Sequence, residues 1–163
     1  MGSGILLALV LSLLQHVRHS YKPSVAVQTR TADGHWQMGP VEPGRMVTPG
    51  LLVYWFGSDL FYANIDRFAA QLHKLVTESR TPVSWLVVDA GAITSVDYTA
   101  GAGLKELTKE LTQKGVTLVF VHISQSLKAD LDRQELTEVI GPASMFDTLR
   151  ECLAAYTTRQ QKP

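Results

Sequence analysis

The sequence predicts an α/β fold, a small mixed, mostly parallel β-sheet flanked by helices. Three apolar runs, Leu51–Phe56, Ser84–Ala90 and Val116–Ile123, lack a clean polar alternation, which is typical of strands buried on both faces. Segments with helical spacing of apolar residues lie between these runs, and strands that alternate with helices favour a parallel sheet covered by helices. We expect the order β (loop) β α β α β α (β) α, without an internal repeat.

The two helices between the buried strands have recognisable ends. The first follows the segment GSDLFYAN, with Asn64 as its predicted N-cap, and Pro82 prevents it from continuing into the next strand. The second begins in the stretch SVDYTAGAGL (Ser95–Leu104), and Gly115 is predicted to end it.

The remaining segments are shorter or less regular. Ser24–Arg30 alternates enough for a short strand, and residues 31–50 are rich in turn residues, which indicates a linker or hairpin loop. Beyond the third buried strand, a short helix is predicted to begin at Ser124 or Ser126. A last helix is predicted within Met145–Tyr156, with its apolar side chains facing inward.

The first twenty residues are unusual because Ile5–Leu14 is apolar on every side of a helix. A signal peptide, a core helix and the end of a transmembrane helix are the alternatives. We favour the last, because Arg18, Tyr21 and Lys22 lie where interface anchors and cytoplasmic positive charge are expected. The chain is therefore divided into residues 1–20 (end of a truncated transmembrane helix, with residues left from cloning), 21–50 (linker with a first short strand), 51–158 (core) and 159–163 (tail).

The composition argues against several function classes. Lys and Arg together number 15, as do Asp and Glu, and this zero formal net charge does not suit binding to nucleic acid. The single cysteine, Cys152, excludes an internal disulfide and a cysteine-rich zinc site, and it is predicted to be a small buried residue. None of the five histidines has metal-ligand spacing. His122, at the end of a strand, is predicted to be structural.

Motifs of nucleotide-dependent and hydrolytic enzymes are missing. The Gly101–Gly103 pair resembles part of a dinucleotide fingerprint, but Glu106 occupies the third glycine position. These glycines are better explained by close packing of the helix on the sheet. The residues near Thr99 include no base that could activate it, so the sequence argues against an enzyme.

The triplet Asp97–Thr99 therefore carries the strongest functional signal. Asp97 is predicted to cap the second helix, which places Thr99 on its first turn at the carboxyl edge of the sheet. Ligands of open α/β folds bind at this edge, and free backbone N–H groups at a helix start favour an anion. A purely structural role, with Asp97 as a cap and Thr99 as a tolerated first-turn residue, is the alternative.

Three segments taken together, LLVYWFGSDLFYANIDRF, WLVVDAGAITSVDYTAGAGLKEL and VTLVFVHIS, resemble the STAS domain. This module is shared by SulP-type sulfate transporters and bacterial anti-sigma-factor antagonists, and the resemblance covers about Ser24 to Tyr156. The apolar start of the chain is similar to the end of the last membrane helix of a SulP transporter. The resemblance therefore implies the cytoplasmic C-terminal domain of a bacterial sulfate or anion transporter.

The resemblance also implies a role and a candidate site. It implies a regulatory domain rather than an enzyme, tethered at the cytoplasmic face of the inner membrane. Its expected partners are the transporter's membrane domain, a second copy and cytoplasmic regulatory proteins. A free-standing anti-sigma-factor antagonist phosphorylated at Thr99 is the first alternative, and a small nucleotide hydrolase is the second. In the antagonists the motif is D-S-S-G, from which this sequence departs at Thr99 and Ala100.

Several members of the family bind guanine or adenine nucleotides, although no cofactor is required. A guanine nucleotide, GDP or GTP, would here lie over two helix starts. The expected contacts are Phe56, Asp59, Phe61, Asn64, Asp89, Thr94, Ser95, Asp97 and Thr99. Because no lysine or arginine lies near these residues in sequence, we expect such binding to be weak.

Overall fold

A computed structural model describes the backbone of residues 2–21 and 23–161, and the side chains of residues 2–15 and 23–161. The helices are α1 (Gly2–Tyr21), α2 (Ile65–Thr77), α3 (Tyr98–Gln113), α4 (Gln125–Arg133), α5 (Leu136–Ile140) and α6 (Leu149–Gln160). The strands are β1 (Val25–Arg30), β2 (Trp36–Gly39), β3 (Leu51–Phe56), β4 (Trp85–Asp89), β5 (Thr117–Val121) and β6 (Met145–Phe146).

The strands form one mixed sheet in the order β2-β1-β3-β4-β5-β6, which confirms the predicted fold class. Strands β3, β4, β5 and β6 run parallel to one another, whereas β1 is antiparallel to both of its neighbours. The parallel strands end at a common carboxyl edge. Because β1 runs the other way, it begins at that edge, where Val25 pairs with Phe56.

The two faces of the sheet carry separate hydrophobic clusters. The larger cluster packs alternate side chains of the central strands, such as Tyr54 and Phe120, against α2, α3, α4 and α5. The smaller cluster lies under α6 and includes Trp85, Cys152 and Tyr156. Cys152 is fully buried as predicted, and burial raises the pKa of its thiol to about 12, so the thiol stays protonated and unreactive at neutral pH.

Three local predictions needed correction. The segment 31–50 contains β2, which pairs with β1 as a hairpin. The short helix after Ser124 is broken at Glu135, which has a positive φ of 59°, and α5 follows the break. The last helix begins at Leu149 and not at Met145, because the Thr148 hydroxyl caps it through the N–H of Glu151.

The two glycines of α3 lie at helix contacts and not against the sheet, as the sequence had suggested. A Cβ on Gly103 would collide with the side chain of Ile65 in α2. A Cβ on Gly101 would collide with the side chain of Gln134, which follows α4. Both positions therefore allow neighbouring helices to approach α3 closely.

Helix α1 projects apolar side chains into solvent. Its leucines, isoleucine and valine between residues 5 and 14 are 47–67% exposed, so it is not a core helix of this domain. Among residues 2–21 and 23–161, no helix is both long enough and apolar enough to cross a membrane. Exposed apolar surface of this extent is typical of an interaction site.

Candidate functional site

The candidate site is formed by two neighbouring loops at the carboxyl edge of the sheet. We call residues 57–64, which follow β3, and residues 90–97, which follow β4, the edge loops. An isolated parallel bridge joins Leu60 to Val96. The N–H of Leu60 donates to the Ser95 carbonyl over 3.2 Å, and the N–H of Asp97 donates to the Leu60 carbonyl over 3.1 Å.

Asp59 fastens the first edge loop to the second. One of its carboxylate oxygens accepts hydrogen bonds from the N–H of Thr94 (2.6 Å), the Thr94 hydroxyl (2.9 Å) and the N–H of Ser95 (3.1 Å). Partial burial alone raises the pKa of Asp59, but the hydrogen bonds from Thr94 and Ser95 outweigh this effect and hold its pKa below the usual range. Asp59 is therefore a charged structural clamp.

Asp97 makes the reciprocal connection and confirms the predicted N-cap. Its Oδ1 accepts from the N–H of Ala100 in α3 over 2.8 Å, while its Oδ2 accepts from the N–H of Tyr62 over 2.9 Å. The carboxylate thus caps α3 and holds the first edge loop at the same time. Both oxygens are occupied by backbone donors of the protein itself.

Helix α4 supplies a third carboxylate that sequence reasoning missed. The Asp130 Oδ2 accepts from the N–H of Val96 over 3.1 Å, and its Oδ1 pairs with Arg133 over 2.8 Å. The Gln134 side-chain amide donates to the Val96 carbonyl over 2.8 Å. Asp130 and Gln134 both lie more than 30 residues from Val96 along the chain, so no local pattern in the sequence indicates these contacts.

Four backbone donors of this edge that an anion could use are already occupied. The N–H groups of Thr94, Ser95, Val96 and Ala100 all point at aspartate oxygens. An entering phosphate would have to displace a carboxylate and would face the negative charge of the others. This arrangement makes the edge an acidic surface, which disfavours an anion at these four donors.

Asp89 lies apart from this group. It is on the α6 face of the sheet, because side chains alternate along β4 and its second neighbour Val87 belongs to the cluster under α6. Its buried carboxylate accepts from the Gln28 side-chain amide (2.5 Å) and the N–H of Gly91 (3.1 Å) and contacts Nδ1 of His122 (2.9 Å). The Asp89–His122 contact is thus a local polar network behind the edge loops.

Two predicted ligand contacts need correction. Phe56 is only 2% exposed and packs edge-on against Phe68, so it offers no stacking face. Asn64 occupies the N-cap position of α2 but does not cap it. Its buried side chain instead accepts from the N–H of Phe61 and donates to the Asp59 carbonyl, which shapes the first edge loop.

The predicted residues that remain accessible lie close together. Thr94, Ser95 and Thr99 are exposed, and Phe61 is half-buried. The structure adds two aromatic side chains that the sequence analysis did not select, Tyr62 and Tyr98. A shallow groove of about 380 Å³ separates the start of α3 from the end of α4, and its lining includes Ser95, Asp97, Tyr98, Asp130, Arg133 and Gln134.

Tyr62 is 65% exposed and Tyr98 is 85% exposed. Their closeness in sequence to Asp59 and Asp97 was visible in the segments DLFYAN and DYT, but their exposure was not. Of the residues that the structure describes, no cluster of three or more His, Cys, Asp or Glu side chains could hold a metal ion. The accessible chemistry of this edge is therefore aromatic, hydroxylic and acidic.

The hydrogen bonds of Asp59 lead us to expect that the stability of the domain depends on pH. Because its folded-state pKa is lowered, its contribution is fully present above the unfolded-state pKa and is lost as pH falls through the folded-state pKa. We expect the difference in free energy of unfolding between wild type and Asp59→Asn to be constant above about pH 5 and to shrink as the pH falls below that value through the lowered folded-state pKa. Denaturant titrations at several pH values measure it, with exposed Asp33→Asn as the control. A difference that does not vary with pH would contradict this role.

Comparison with known proteins identifies the family. The STAS domain model matches residues 45–152, which include both edge loops and α3. The chain belongs to the STAS domain family. Probable sulfate transporters from two strains of Mycobacterium tuberculosis are 29% identical over 158 residues, which is 96% of this chain and 28% of theirs. This STAS chain thus spans about 28% of the length of those curated relatives.

Solved structures share the STAS fold at low sequence identity. The murine solute carrier 26 family member A9 anion transporter, in the inward-facing state, matches with a TM-score of 0.78 and 16% identity, over 95% of this chain and 26% of that chain. A putative anti-sigma-factor antagonist from Thermotoga maritima matches with a TM-score of 0.52 and 13% identity, over 63% of this chain and 85% of that chain.

Proposed function

We propose that this chain is the cytoplasmic regulatory domain of a SulP-type sulfate or other anion transporter. The observation that carries the proposal is the extent of the sulfate-transporter match, which covers 96% of the chain. That extent requires the alignment to enter α1, which ends at Tyr21. The exposed apolar side chains of α1 suit the end of a membrane helix.

The proposed role is regulatory because the accessible edge has the features of a contact surface. It presents exposed tyrosines and hydroxyls on loops that are already fixed by hydrogen bonds. The transporter's own membrane domain is the proposed partner. A guanine nucleotide is proposed only as a weak ligand, because Asp59, Asp97 and Asp130 occupy the backbone donors.

The whole gene that encodes this chain provides the test. The tagged product is expressed in a host that lacks sulfate uptake. A second version ends before Ser24 and therefore lacks the folded domain. The complete protein is expected to resist carbonate extraction from membranes and to take up sulfate. The truncated protein is expected to stay in the membrane with uptake changed by at least about threefold. A complete protein that carbonate releases would contradict the proposal.

Thr99 is the proposed regulatory point, on the exposed first turn of α3. A negative charge there alters the field of the edge next to Asp97 without touching the core. We expect Thr99→Glu to change the uptake rate of the whole transporter by at least about twofold, while Thr99→Gln leaves it near the wild-type rate. Equal rates in all three proteins would contradict this role.

A further inference from the structure

The chain enters the folded domain at the same edge that carries the candidate site. Strand β1 begins at Val25, which pairs with Phe56 at the carboxyl end of β3. The carbonyl of Ser24 accepts from the N–H of Gly57, the first residue of the first edge loop, over 2.8 Å. The segment that arrives from α1 is therefore hydrogen-bonded directly to the loop that holds Asp59.

The connection from α1 to this point is short. Helix α1 ends at Tyr21 and β1 begins at Val25. Four residue steps span at most about 14 Å, even when the chain is fully extended. If α1 is the end of a membrane helix, as proposed above, the carboxyl edge of the sheet must lie close beneath the membrane.

The surface at that edge suits contact with a protein. We call Tyr62, Tyr98 and Thr99 the tyrosine surface. The backbones of the two tyrosines lie near each other, because Asp97, which precedes Tyr98, accepts the hydrogen bond from the N–H of Tyr62. Exposed tyrosines on a rigid backbone lose little side-chain entropy when they bind, and tyrosine is enriched in protein interfaces.

The charge around the tyrosine surface favours a cationic partner. Asp59, Asp66 and Asp97 lie on the edge loops and the first turn of α2, against the single cation Arg67. The nearby Arg133 is paired with Asp130. Anionic lipid headgroups would be repelled by this charge, whereas the cytoplasmic ends of membrane helices carry an excess of lysine and arginine.

We infer that the tyrosine surface docks onto basic cytoplasmic ends of the transporter's own membrane helices. This inference rests on the proposed function, because it requires a membrane domain before α1. It adds which edge of the domain faces that partner and which side chains make the contact. It also gives Thr99 a direct route to the partner, since the hydroxyl lies within the contact.

Photo-crosslinking in the complete transporter tests the inference. A benzophenone side chain is introduced at Tyr98, at Tyr62 or, as the control, at Lys114. Lys114 is exposed just beyond the other end of α3, about 24 Å from Tyr98 along the helix axis. After irradiation of membranes, crosslinked peptides are assigned by mass spectrometry. We expect positions 98 and 62 to reach segments that precede α1, with yields at least about fivefold above position 114.

Three outcomes would overturn the inference: adducts from positions 98 and 62 with lipid alone, adducts with a separate protein alone, or equal yields from position 114. These results are obtained with protein that carbonate does not extract. They are therefore distinct from failure of the proposed function, in which carbonate releases the complete product. Thr99→Lys provides a second test and should lower the yield from position 98, whereas Lys114→Glu, at the other end of α3, should leave it unchanged. A yield that Thr99→Lys raises or leaves unchanged would also contradict the docking.

Discussion

Replacing Gly103 by valine should destabilise the domain by about 2 to 3 kcal/mol, which lowers the melting temperature by about 6 °C. A Cβ at this position would collide with the side chain of Ile65, so α2 and α3 would have to separate. Ile65 is almost fully buried beside Phe68, and the neighbouring core leaves little room for it to move. Valine has a somewhat better helix propensity than glycine, so a loss of stability must come from the collision.

The matched control places the same residue one position earlier. Ala102 is exposed on α3, and Ala102→Val should cost only about 0.5 kcal/mol through helix propensity. Thermal and denaturant unfolding of the three proteins gives the comparison. If Gly103→Val were as stable as Ala102→Val, the close approach of α2 and α3 at this glycine would be wrong.

Asp97→Ala should cost about 2 kcal/mol, because one carboxylate makes two connections. The variant loses the cap on the Ala100 N–H, which is worth about 1 kcal/mol, and leaves the Tyr62 N–H without its acceptor. Asp97→Asn keeps one acceptor oxygen and should cost about half as much. Denaturant unfolding measures the free energies. Amide hydrogen exchange shows whether protection is lost at both Tyr62 and Ala100.

The pattern of exchange separates a double connection from a simple cap. Faster exchange at Ala100 together with unchanged exchange at Tyr62 would show that Asp97 does not hold the first edge loop. A stability of Asp97→Ala equal to that of wild type would contradict both connections. Stability differences of this size are well resolved in a domain of this length.

Elements defined by local patterns could be predicted from the sequence. The three central strands are continuous apolar runs, and Asp97, Ser124 and Gly115 have the residue types that helix ends require. The strand β2 is only four residues long and mostly exposed, so its alternation is too short to reveal it among the surrounding turn residues. The break at Glu135 depends on a left-handed backbone conformation that non-glycine residues seldom adopt.

The position of the candidate residues at the carboxyl edge was predictable, but the surroundings of their side chains were not. The carboxyl edge follows from the strand order, whereas the burial of Phe56 depends on how the side chains alternate around β3. The role of Asp130 depends on a contact 34 residues away along the chain. Contacts of this kind are set by tertiary packing, and a single sequence carries no local signal for them. The sequence predicted an anion-binding crevice at this edge, whereas the structure shows that carboxylates fill it.

Adding GDP to the ¹⁵N-labelled domain while recording its amide resonances tests most directly whether the backbone donors of the edge loops are occupied. If Asp59, Asp97 and Asp130 occupy the backbone donors, the amide shifts of Thr94, Ser95 and Val96 should remain essentially unchanged up to about 1 mM GDP. Saturable shifts of these three amides with a dissociation constant below about 0.1 mM would show an open anion-binding crevice and contradict the account.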